Sequence, residues 1–230
     1  MPFKKHDFVE LDFTGRLKET NEVFDTTDVK IAKDAQVFSE KAEYKPIVIC
    51  IGEHYILKGI DEFVQGKEPG KYTVDLAPEN AFGKKDSKML KMIPMNKFAE
   101  QKIRPVPGLR LNIDGYVGMV KSVSGGRVIV DFNHPLAGRE ILYELNVHKV
   151  VTDKKVQVDS MLKILLGVKT DVVVEEKKVK ITLPELPKQL TDELAKKVME
   201  LTGLEAEFVK KELKKAEEKK PVEKVAKKVA

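Results

Sequence analysis

Two β-rich stretches, about fifty residues apart, constrain the fold more than any other part of the chain. In the first stretch, Tyr72–Gly83, apolar and polar residues alternate up to Leu76, which is the period of a half-buried strand. Turn residues then surround Phe82, so that its ring can point at a cleft instead of the core. The second stretch, Val128–Gly138, is again a strand that runs into a turn. We therefore predict that the two stretches are the lips of one flap, into which the intervening segment is inserted as a domain.

The intervening segment carries its own hairpin signals. Asp114-Gly115 and Gly125-Gly126 are strong short turn dipeptides, and they separate predicted strands at 109–113, 116–123 and 127–132. This pattern predicts a compact all-β unit. Residues 89–95 hold three of the seven methionines of the chain. Because methionine adapts to many shapes, this cluster indicates either a promiscuous binding surface or core filling.

Around the flap, periodicity predicts an antiparallel sheet with one short helix. Ile60, Phe63 and Val64 share one face of that helix, which Gly59 and Gly66 bound. The run 47–51 is apolar throughout, so it is covered on both faces or lines a pocket. The remaining expected elements are strands at 8–14, 17–24, 71–77 and 141–151, a turn at 25–28, and a loop or short helix at 29–44.

After residue 152 the pattern becomes mixed. We predict a helix capped by Asp159-Ser160 and ended by Gly167, and a hairpin of strands 170–174 and 179–183. Two further helices are expected, at 192–202 after a Thr191 cap and at 204–219, followed by a disordered tail beyond 220. Two apolar stripes could form internal core or a homodimer face, namely Leu194, Val198 and Leu201, and Phe208, Val209 and Leu213.

Composition predicts a globular protein, with 42% hydrophobic and 34% charged residues. The formal charge is +5, and residues 210–230 alone, with nine Lys and four Glu, account for it. The rest of the chain therefore sums to about zero, which requires no polycationic groove. The single cysteine, Cys50, excludes an intrachain disulfide and fits a reducing compartment. No apolar leader or membrane-length segment is visible, so we expect a cytoplasmic protein without membrane contact.

Six short motifs occur in order over residues 1–150, and together they resemble the FKBP-type peptidyl-prolyl isomerases. The similarity is greatest to the SlyD-like branch, which has a chaperone domain inserted in the flap, and to long archaeal members with an extra C-terminal domain. The motifs are Phe13-Thr14-Gly15, Val23-Phe24-Asp25, Gly52 with Ile56-Leu57-Lys58-Gly59, Pro78-Glu79-Asn80-Ala81-Phe82-Gly83, Asn133-His134-Pro135-Leu136-Ala137-Gly138, and Tyr143-Glu144-Leu145.

The resemblance implies an α+β fold, in which an FKBP half-barrel of antiparallel sheet surrounds a short helix. The isomerase domain would comprise 1–85 and 134–152, the insert 86–133, and a C-terminal α+β domain 153–230 with a basic tail. The implied activity is cis/trans isomerisation of X–Pro bonds in unfolded or nascent polypeptides, without a cofactor or metal. The implied catalytic pocket consists of Phe13, Phe24, Asp25, Ile47, Ile56, Leu57, Ile60, Phe82 and Tyr143.

Three implied pocket positions depart from the best-known family pattern. Phe13 and Phe82 replace tyrosines, and Ile60 replaces the tryptophan of the pocket floor. Two hydroxyl donors are thus absent, so either a backbone amide, such as that of Leu57, donates to the substrate, or catalysis rests mainly on desolvation. In the insert, the resemblance implies a client-binding surface made of Met89, Met92, Ile93, Met95 and Phe98. It also implies a homodimer formed through the C-terminal domain.

Two other functions compete with this reading. The absent hydroxyls would suit a non-catalytic holdase on the same fold. Alternatively, residues 109–132, with Gly-rich turns and the basic Arg110, Lys121 and Arg127, are similar to a small RNA-binding barrel, which would suit an RNA- or ribosome-associated protein, although we do not expect a nucleic-acid partner. The four histidines are scattered without the spacing of metal ligands, and we predict no metal site.

Overall fold

The computed structural model describes residues 1–113, 115–168, 170–184 and 186–210. Their elements fall into three sheets with five α-helices and two short 3-10 turns. The strands are β1 Phe8–Leu17, β2 Val23–Thr26, β3 Ile47–Cys50, β4 Gly70–Leu76, β5 Leu90–Pro94, β6 Arg110–Ile113, β7 Tyr116–Ser124, β8 Arg127–Asp131, β9 Ile141–Val150, β10 Asp171–Glu175, β11 Lys178–Leu183 and β12 Glu205–Lys210. The helices are α1 Val29–Asp34, α2 Lys58–Val64, α3 Met95–Glu100, α4 Lys154–Leu166 and α5 Lys188–Thr202, and the 3-10 turns are Pro78–Asn80 and Ser87–Met89.

The first sheet is antiparallel and has the order β2-β1-β9-β4, with β3 also paired to β1. Its inner face packs on α2, where Ile60 and Val64 are fully buried. A register shift between Gly15 and Arg16 interrupts the pairing of β1 with β2. The expected half-barrel around a short helix is therefore present. The turn predicted at 25–28 is partly wrong, because β2 continues through Thr26.

The insert has the strand order β5-β8-β7-β6. The three predicted hairpin strands are present, and Gly125 and Gly126 both take positive φ in the turn between β7 and β8. The prediction of an all-β unit is wrong, because α3 packs Phe98 against Val128 and Val130 in the core of the insert. The methionine-rich segment also forms β5, a strand that periodicity did not indicate.

The C-terminal module combines α4 and α5 with the sheet β10-β11-β12. Both helices begin earlier than predicted. Asp153 caps α4 by accepting hydrogen bonds from the amides of Lys155 and Val156, and Pro187, not Thr191, precedes α5. Gly167 ends α4 in the left-handed conformation, as predicted.

The helix predicted at 204–219 is wrong over its first residues. Residues 205–210 form β12, which pairs in parallel with β11 after the α5 crossover. The remainder of that prediction, including Leu213, and the disordered tail predicted beyond 220 lie outside the described residues.

The outer face of the first sheet packs against the C-terminal module. Phe8 and Cys50 share a buried cluster with Val158 and Leu162 of α4 and with residues of α5. The stripe Leu194, Val198 and Leu201 is buried in the same cluster, so it is internal core. No helix among the described residues is long and apolar enough to cross a membrane.

Candidate active site

Four aromatic rings meet where β1, β2 and β9 face the turn after β4. The Phe24 ring packs edge-to-face with Phe82 at a centroid distance of 5.7 Å and with Tyr143 at 5.9 Å. Phe13 lies 5.7 Å from Tyr143 on the other side. Tyr143 is buried, whereas the three phenylalanines are half-buried. We call Phe13, Phe24, Phe82 and Tyr143 the aromatic cluster.

A glycine allows two of these rings to lie over the β1 backbone. A Cβ atom added to Gly15 would stand 2.6 Å from Cζ of Phe24 and 3.0 Å from Cζ of Tyr143. Both separations are shorter than ordinary van der Waals contact. The Phe13-Thr14-Gly15 motif therefore supplies one ring and the space for two others.

Aliphatic side chains surround the rings. Ile60 is fully buried on α2, and the half-buried Ile47, Ile56 and Leu57 pack against the same core. Ile56 and Leu57 lie on the loop 51–57, which Asp61 holds in place. This buried carboxylate accepts hydrogen bonds from the Gly52 amide at 3.0 and 3.1 Å and from the His54 amide at 3.1 Å.

Asp25 is the polar member of the predicted site. The residue is exposed at the end of β2, but partial burial of its carboxyl group raises its pKa, and the Thr26 amide opposes this effect. The pKa of Tyr143 is also raised, first by burial and then by the nearby charge of Asp25. Asp25 therefore lies beside the aromatic cluster, at its edge with solvent.

The two lips of the flap are joined directly. The His134 ring stacks on Phe82 at a centroid distance of 4.6 Å and an interplanar angle of 4°. The Gly138 amide donates to the Gly83 carbonyl at 2.8 Å. Asn133 binds Asp86 through two hydrogen bonds, one from the Asp86 amide at 2.8 Å and one to its carbonyl at 3.0 Å.

The structure brings the nine predicted pocket residues together, as eight apolar or aromatic residues in or against one core with Asp25 at their edge. His134 was missed as a neighbour of the site, because the histidines were tested only for metal-ligand spacing. His134 belongs to the motif Asn133–Gly138 directly after β8, and this position could have indicated that it lies beside the site.

The predicted client-binding residues of the insert do not all lie on its surface. Met89 and Met92 are exposed, whereas Phe98 is only 4% exposed and belongs to the insert core. Ile93 and Met95 are partly buried against that core. The prediction of a surface role is thus wrong for Phe98 in this structure.

An antiparallel half-barrel around a short helix, with a ring-lined apolar site below its flap, defines the class of FKBP-like isomerases. Comparison with known proteins gives the same class. The family model "FKBP-type peptidyl-prolyl cis-trans isomerase" matches residues 2–104, and the model "FKBP26, IF domain" matches residues 91–136.

Several similar proteins are named as peptidyl-prolyl cis-trans isomerases. The short-type peptidyl-prolyl cis-trans isomerase of Methanocaldococcus jannaschii is 32% identical over 148 residues, which are 64% of this chain and 93% of that protein. SlyD of Pasteurella multocida is 28% identical over 120 residues, or 50% of this chain and 60% of SlyD. The 16 kDa FKBP-type isomerase of Escherichia coli is 26% identical over 111 residues, or 46% of this chain and 74% of that protein.

The chain belongs to the FKBP-type peptidyl-prolyl cis-trans isomerase family, and it is an enzyme of this type with an insert-in-flap region. The domain boundaries predicted from the sequence stay predictions. Within the described residues, no group of three or more His, Cys, Asp or Glu side chains could hold a metal ion.

Proposed function

We propose that this isomerase acts on X–Pro bonds of unfolded or nascent proteins and that its insert holds the client beside the prolyl site. The observation that carries this proposal is an exposed apolar strip on the insert. The exposed fractions are 43% for Met89, 45% for Leu90 and 58% for Met92.

The strip has a second feature suited to an extended chain. It runs onto β5, which is an edge strand of the insert sheet and pairs only with β8 among the described strands. An edge strand has unpaired backbone groups that another chain can bind as an added strand. Methionines beside that edge adapt to different client side chains.

The chemistry needs no nucleophile. Rotation about an X–Pro bond is slow because the amide has partial double-bond character, with a barrier of roughly 18–20 kcal/mol. An apolar site that binds the twisted amide better than the planar forms lowers this barrier. A reduction of about 4–7 kcal/mol would accelerate rotation about 10³–10⁵-fold.

Desolvation by the aromatic cluster would supply part of this reduction, since it disfavours the charge-separated planar amide. Phe13 and Phe82 have no hydroxyl to donate. The Leu57 amide donates no hydrogen bond to any residue that the structure describes, and it precedes α2 next to the buried Ile60. It is therefore our candidate donor to the substrate carbonyl.

Holding a client on the insert raises the effective concentration of its prolines at the catalytic site. The proposal thus predicts different behaviour with short and long substrates. A proline tetrapeptide is too short to use both surfaces, whereas an unfolded protein uses both.

Two assays test the proposal, namely isomerisation of a proline tetrapeptide and refolding of a protein whose slow phase is proline isomerisation. We expect that replacing residues 86–133 by a short turn leaves tetrapeptide turnover largely intact and strongly reduces catalysis of refolding. Met92→Glu should act in the same direction, and Met199→Glu is its control, because Met199 is 42% exposed on α5 outside the insert. If the deletion reduced both activities equally, the insert would not act as a separate client-binding site. If Met199→Glu had the same effect as Met92→Glu, the exposed strip would have no specific role in client binding.

We also propose that the protein is a homodimer through its C-terminal module. Because the Leu194 stripe is internal, the sheet β10-β11-β12 is the better candidate surface, where Val173 and Val209 are 54% and 42% exposed. Light scattering should give twice the chain mass, and Val173→Glu should reduce it to the mass of one chain. A single-chain mass for the unmodified protein would contradict the proposal.

A further inference from the structure

A basic cleft lies between the flap and the insert, with a volume of about 510 Å³. We call it the flap–insert cleft. Four cationic side chains line it from both sides, with Lys85 and Arg139 on the flap and Arg110 and Lys121 on the insert. The rest of its wall includes the apolar side chains of Val117 and Met119 in β7 and of Phe132 and Pro135 after β8.

Most of these cations form no ion pair with the residues that the structure describes. The carboxylate of Asp131, the one acid in the lining, lies 3.7 Å from the Lys121 ammonium and accepts hydrogen bonds from the amide and side chain of Asn133. Lys85, Arg110 and Arg139 form no ion pair with any residue that the structure describes. With four cations and one carboxylate, the described lining therefore presents a net charge of about +3 to a ligand.

The cleft adjoins the prolyl site. His134 belongs to the cleft lining, and its ring stacks directly on Phe82 of the aromatic cluster. The His134 Nδ1 accepts the Leu136 amide at 3.2 Å, which fixes the ring in this position. A chain whose proline occupies the aromatic cluster can thus continue past His134 into the flap–insert cleft.

We propose that the flap–insert cleft binds acidic side chains of the client polypeptide a few residues from the proline being isomerised. This inference deepens the proposed function and rests on it. Two of the free cations are arginines, whose planar guanidinium groups bind carboxylates through paired hydrogen bonds. A cleft of this volume, with apolar and charged walls, accommodates side chains of a peptide segment.

The observations favour a peptide over a nucleic acid. Proteins that bind single-stranded nucleic acid combine positive charge with exposed aromatic rings on which bases stack. In this cleft the Phe132 ring packs against the insert core, and the face of His134 toward Phe82 is occupied. The cleft also leads to a prolyl site, which a nucleic acid would not use.

The test measures binding of fluorescent proline peptides to the full chain by anisotropy. The peptides share one proline core and differ only in flanking residues, which are Glu, Gln or Lys. In about 50 mM salt we expect the Glu peptide to bind about tenfold more tightly than the Gln peptide, because exposed ion pairs each contribute modestly. The Lys peptide should bind most weakly, and about 500 mM salt should remove the preference. In peptides that carry a single Glu at different distances from the proline, affinity should be highest at one distance.

Arg110→Glu and Arg139→Glu should abolish or reverse the preference for Glu. Arg104→Glu is the matched control, because Arg104 is an exposed arginine of the insert that does not line the cleft. All three variants should retain turnover of a neutral tetrapeptide. That measurement, together with refolding catalysis, separates failure of this inference from failure of the proposed function.

Three outcomes would overturn the assignment. The first is equal affinity for the Glu and Gln peptides in the unmodified protein at low salt. The second is an equal effect of Arg104→Glu and Arg110→Glu. The third is displacement of the Glu peptide by a short uridine oligonucleotide at lower concentration than by unlabelled Glu peptide, which would assign the cleft to nucleic acid.

Discussion

Gly15 decides how closely the rings of the site approach the β1 backbone. In Gly15→Ala, the new Cβ would stand 2.6 Å from Cζ of Phe24, so this ring and Tyr143 must move. We expect tetrapeptide kcat/KM to fall at least tenfold, since ring placement forms the apolar site. We expect the free energy of unfolding to fall by about 1–3 kcal/mol, which is typical of overpacking.

Gly70→Ala is the control for this prediction. Gly70 lies in β4 of the same sheet, but its added Cβ would meet its nearest neighbour, the Tyr72 hydroxyl, at 3.5 Å. An alanine there should leave activity unchanged and leave stability equal or slightly higher. If both variants lost activity equally, glycine flexibility in the sheet, and not ring placement, would be the cause.

Asp131 connects the charge of the cleft to the stability of the flap. Burial alone would raise the pKa of its carboxyl group, but the hydrogen bonds from Asn133 and the positive charges of Lys121 and Lys85 hold the pKa below its usual value. A carboxyl group whose pKa is lower in the folded state stabilises that state above the pKa of the unfolded chain, about 4. The stabilisation is lost as the pH falls through the folded pKa.

Asp131→Asn should therefore lower the free energy of unfolding by about 1 kcal/mol at neutral pH. The difference from the unmodified protein should shrink as the pH falls from about 4 through the lower folded pKa of Asp131, below which both side chains are uncharged. Denaturant unfolding at several pH values measures it. A difference that stays constant into strong acid would show that shape, and not charge, makes Asp131 important.

At the scale of elements, the loop 51–57 determines the aliphatic side of the site. It carries Ile56 and Leu57, and its conformation depends on the buried Asp61 carboxylate, which two loop amides bind. Asp61→Asn removes the charge and replaces one acceptor oxygen by a donor group. The new NH2 group then faces the Gly52 amide, which lies 3.0–3.1 Å from both carboxylate oxygens, as donor against donor, and this costs about 1–3 kcal/mol.

We expect Asp61→Asn to lower tetrapeptide kcat/KM together with stability, because the Leu57 amide loses its fixed position. Hydrogen exchange should show faster opening of the Gly52 and His54 amides than in the unmodified protein. Glu62→Gln, an exposed neighbour on α2 that pairs with Lys58 at 3.6 Å, serves as the comparison. Slowed turnover with unchanged protection of these amides would contradict the role assigned to the loop.

Elements that depend on local periodicity were predictable from the sequence. Strand alternation around the flap and the Gly125-Gly126 turn located β4, β7 and β8 closely. The apolar run of β3 was expected to be covered on two faces or to line a pocket, and it is covered on both. Ile49 packs in the isomerase core, while Cys50 packs against the C-terminal module.

Elements that depend on distant partners were not predictable. Residues 205–210 contain an apolar pattern compatible with a helix, but pairing with β11 outweighs that local preference. The short helix α3 is stable because Phe98 is buried in the insert core, which periodicity over six residues cannot indicate. The aromatic cluster was located only through the family resemblance, and the stack of His134 on Phe82 required the structure.

At the scale of the whole molecule, the C-terminal module covers an apolar face of the isomerase sheet. Phe8 is 1% exposed and Cys50 is fully buried in the shared cluster, and burial raises the pKa of the Cys50 thiol to about 12. Lys197 of α5 pairs with Glu53 in the loop 51–57, and this contact raises the pKa of Lys197. The module therefore contacts the back of the element that carries Ile56 and Leu57.

Removing the module should expose that face. A chain that ends after Asp153 loses α4 and α5, so Phe8, Val48 and Cys50 would face water. Burial of one large apolar side chain contributes about 1.5–3 kcal/mol, so the truncated chain should be less stable and should aggregate. Dye binding to exposed apolar surface and light scattering measure both effects.

The triple substitution Phe8→Thr, Val48→Thr and Cys50→Ser distinguishes this explanation from a general effect of truncation. In the truncated chain it replaces exposed apolar groups by polar groups that suit a strand, so it should restore monodispersity and tetrapeptide turnover. In the full chain it introduces three hydroxyl groups into a buried cluster and removes a large ring, so it should destabilise by several kcal/mol. The same substitutions should thus have opposite signs in the two chains. If they destabilised both chains equally, the outer face of the sheet would not depend on the C-terminal module for its cover.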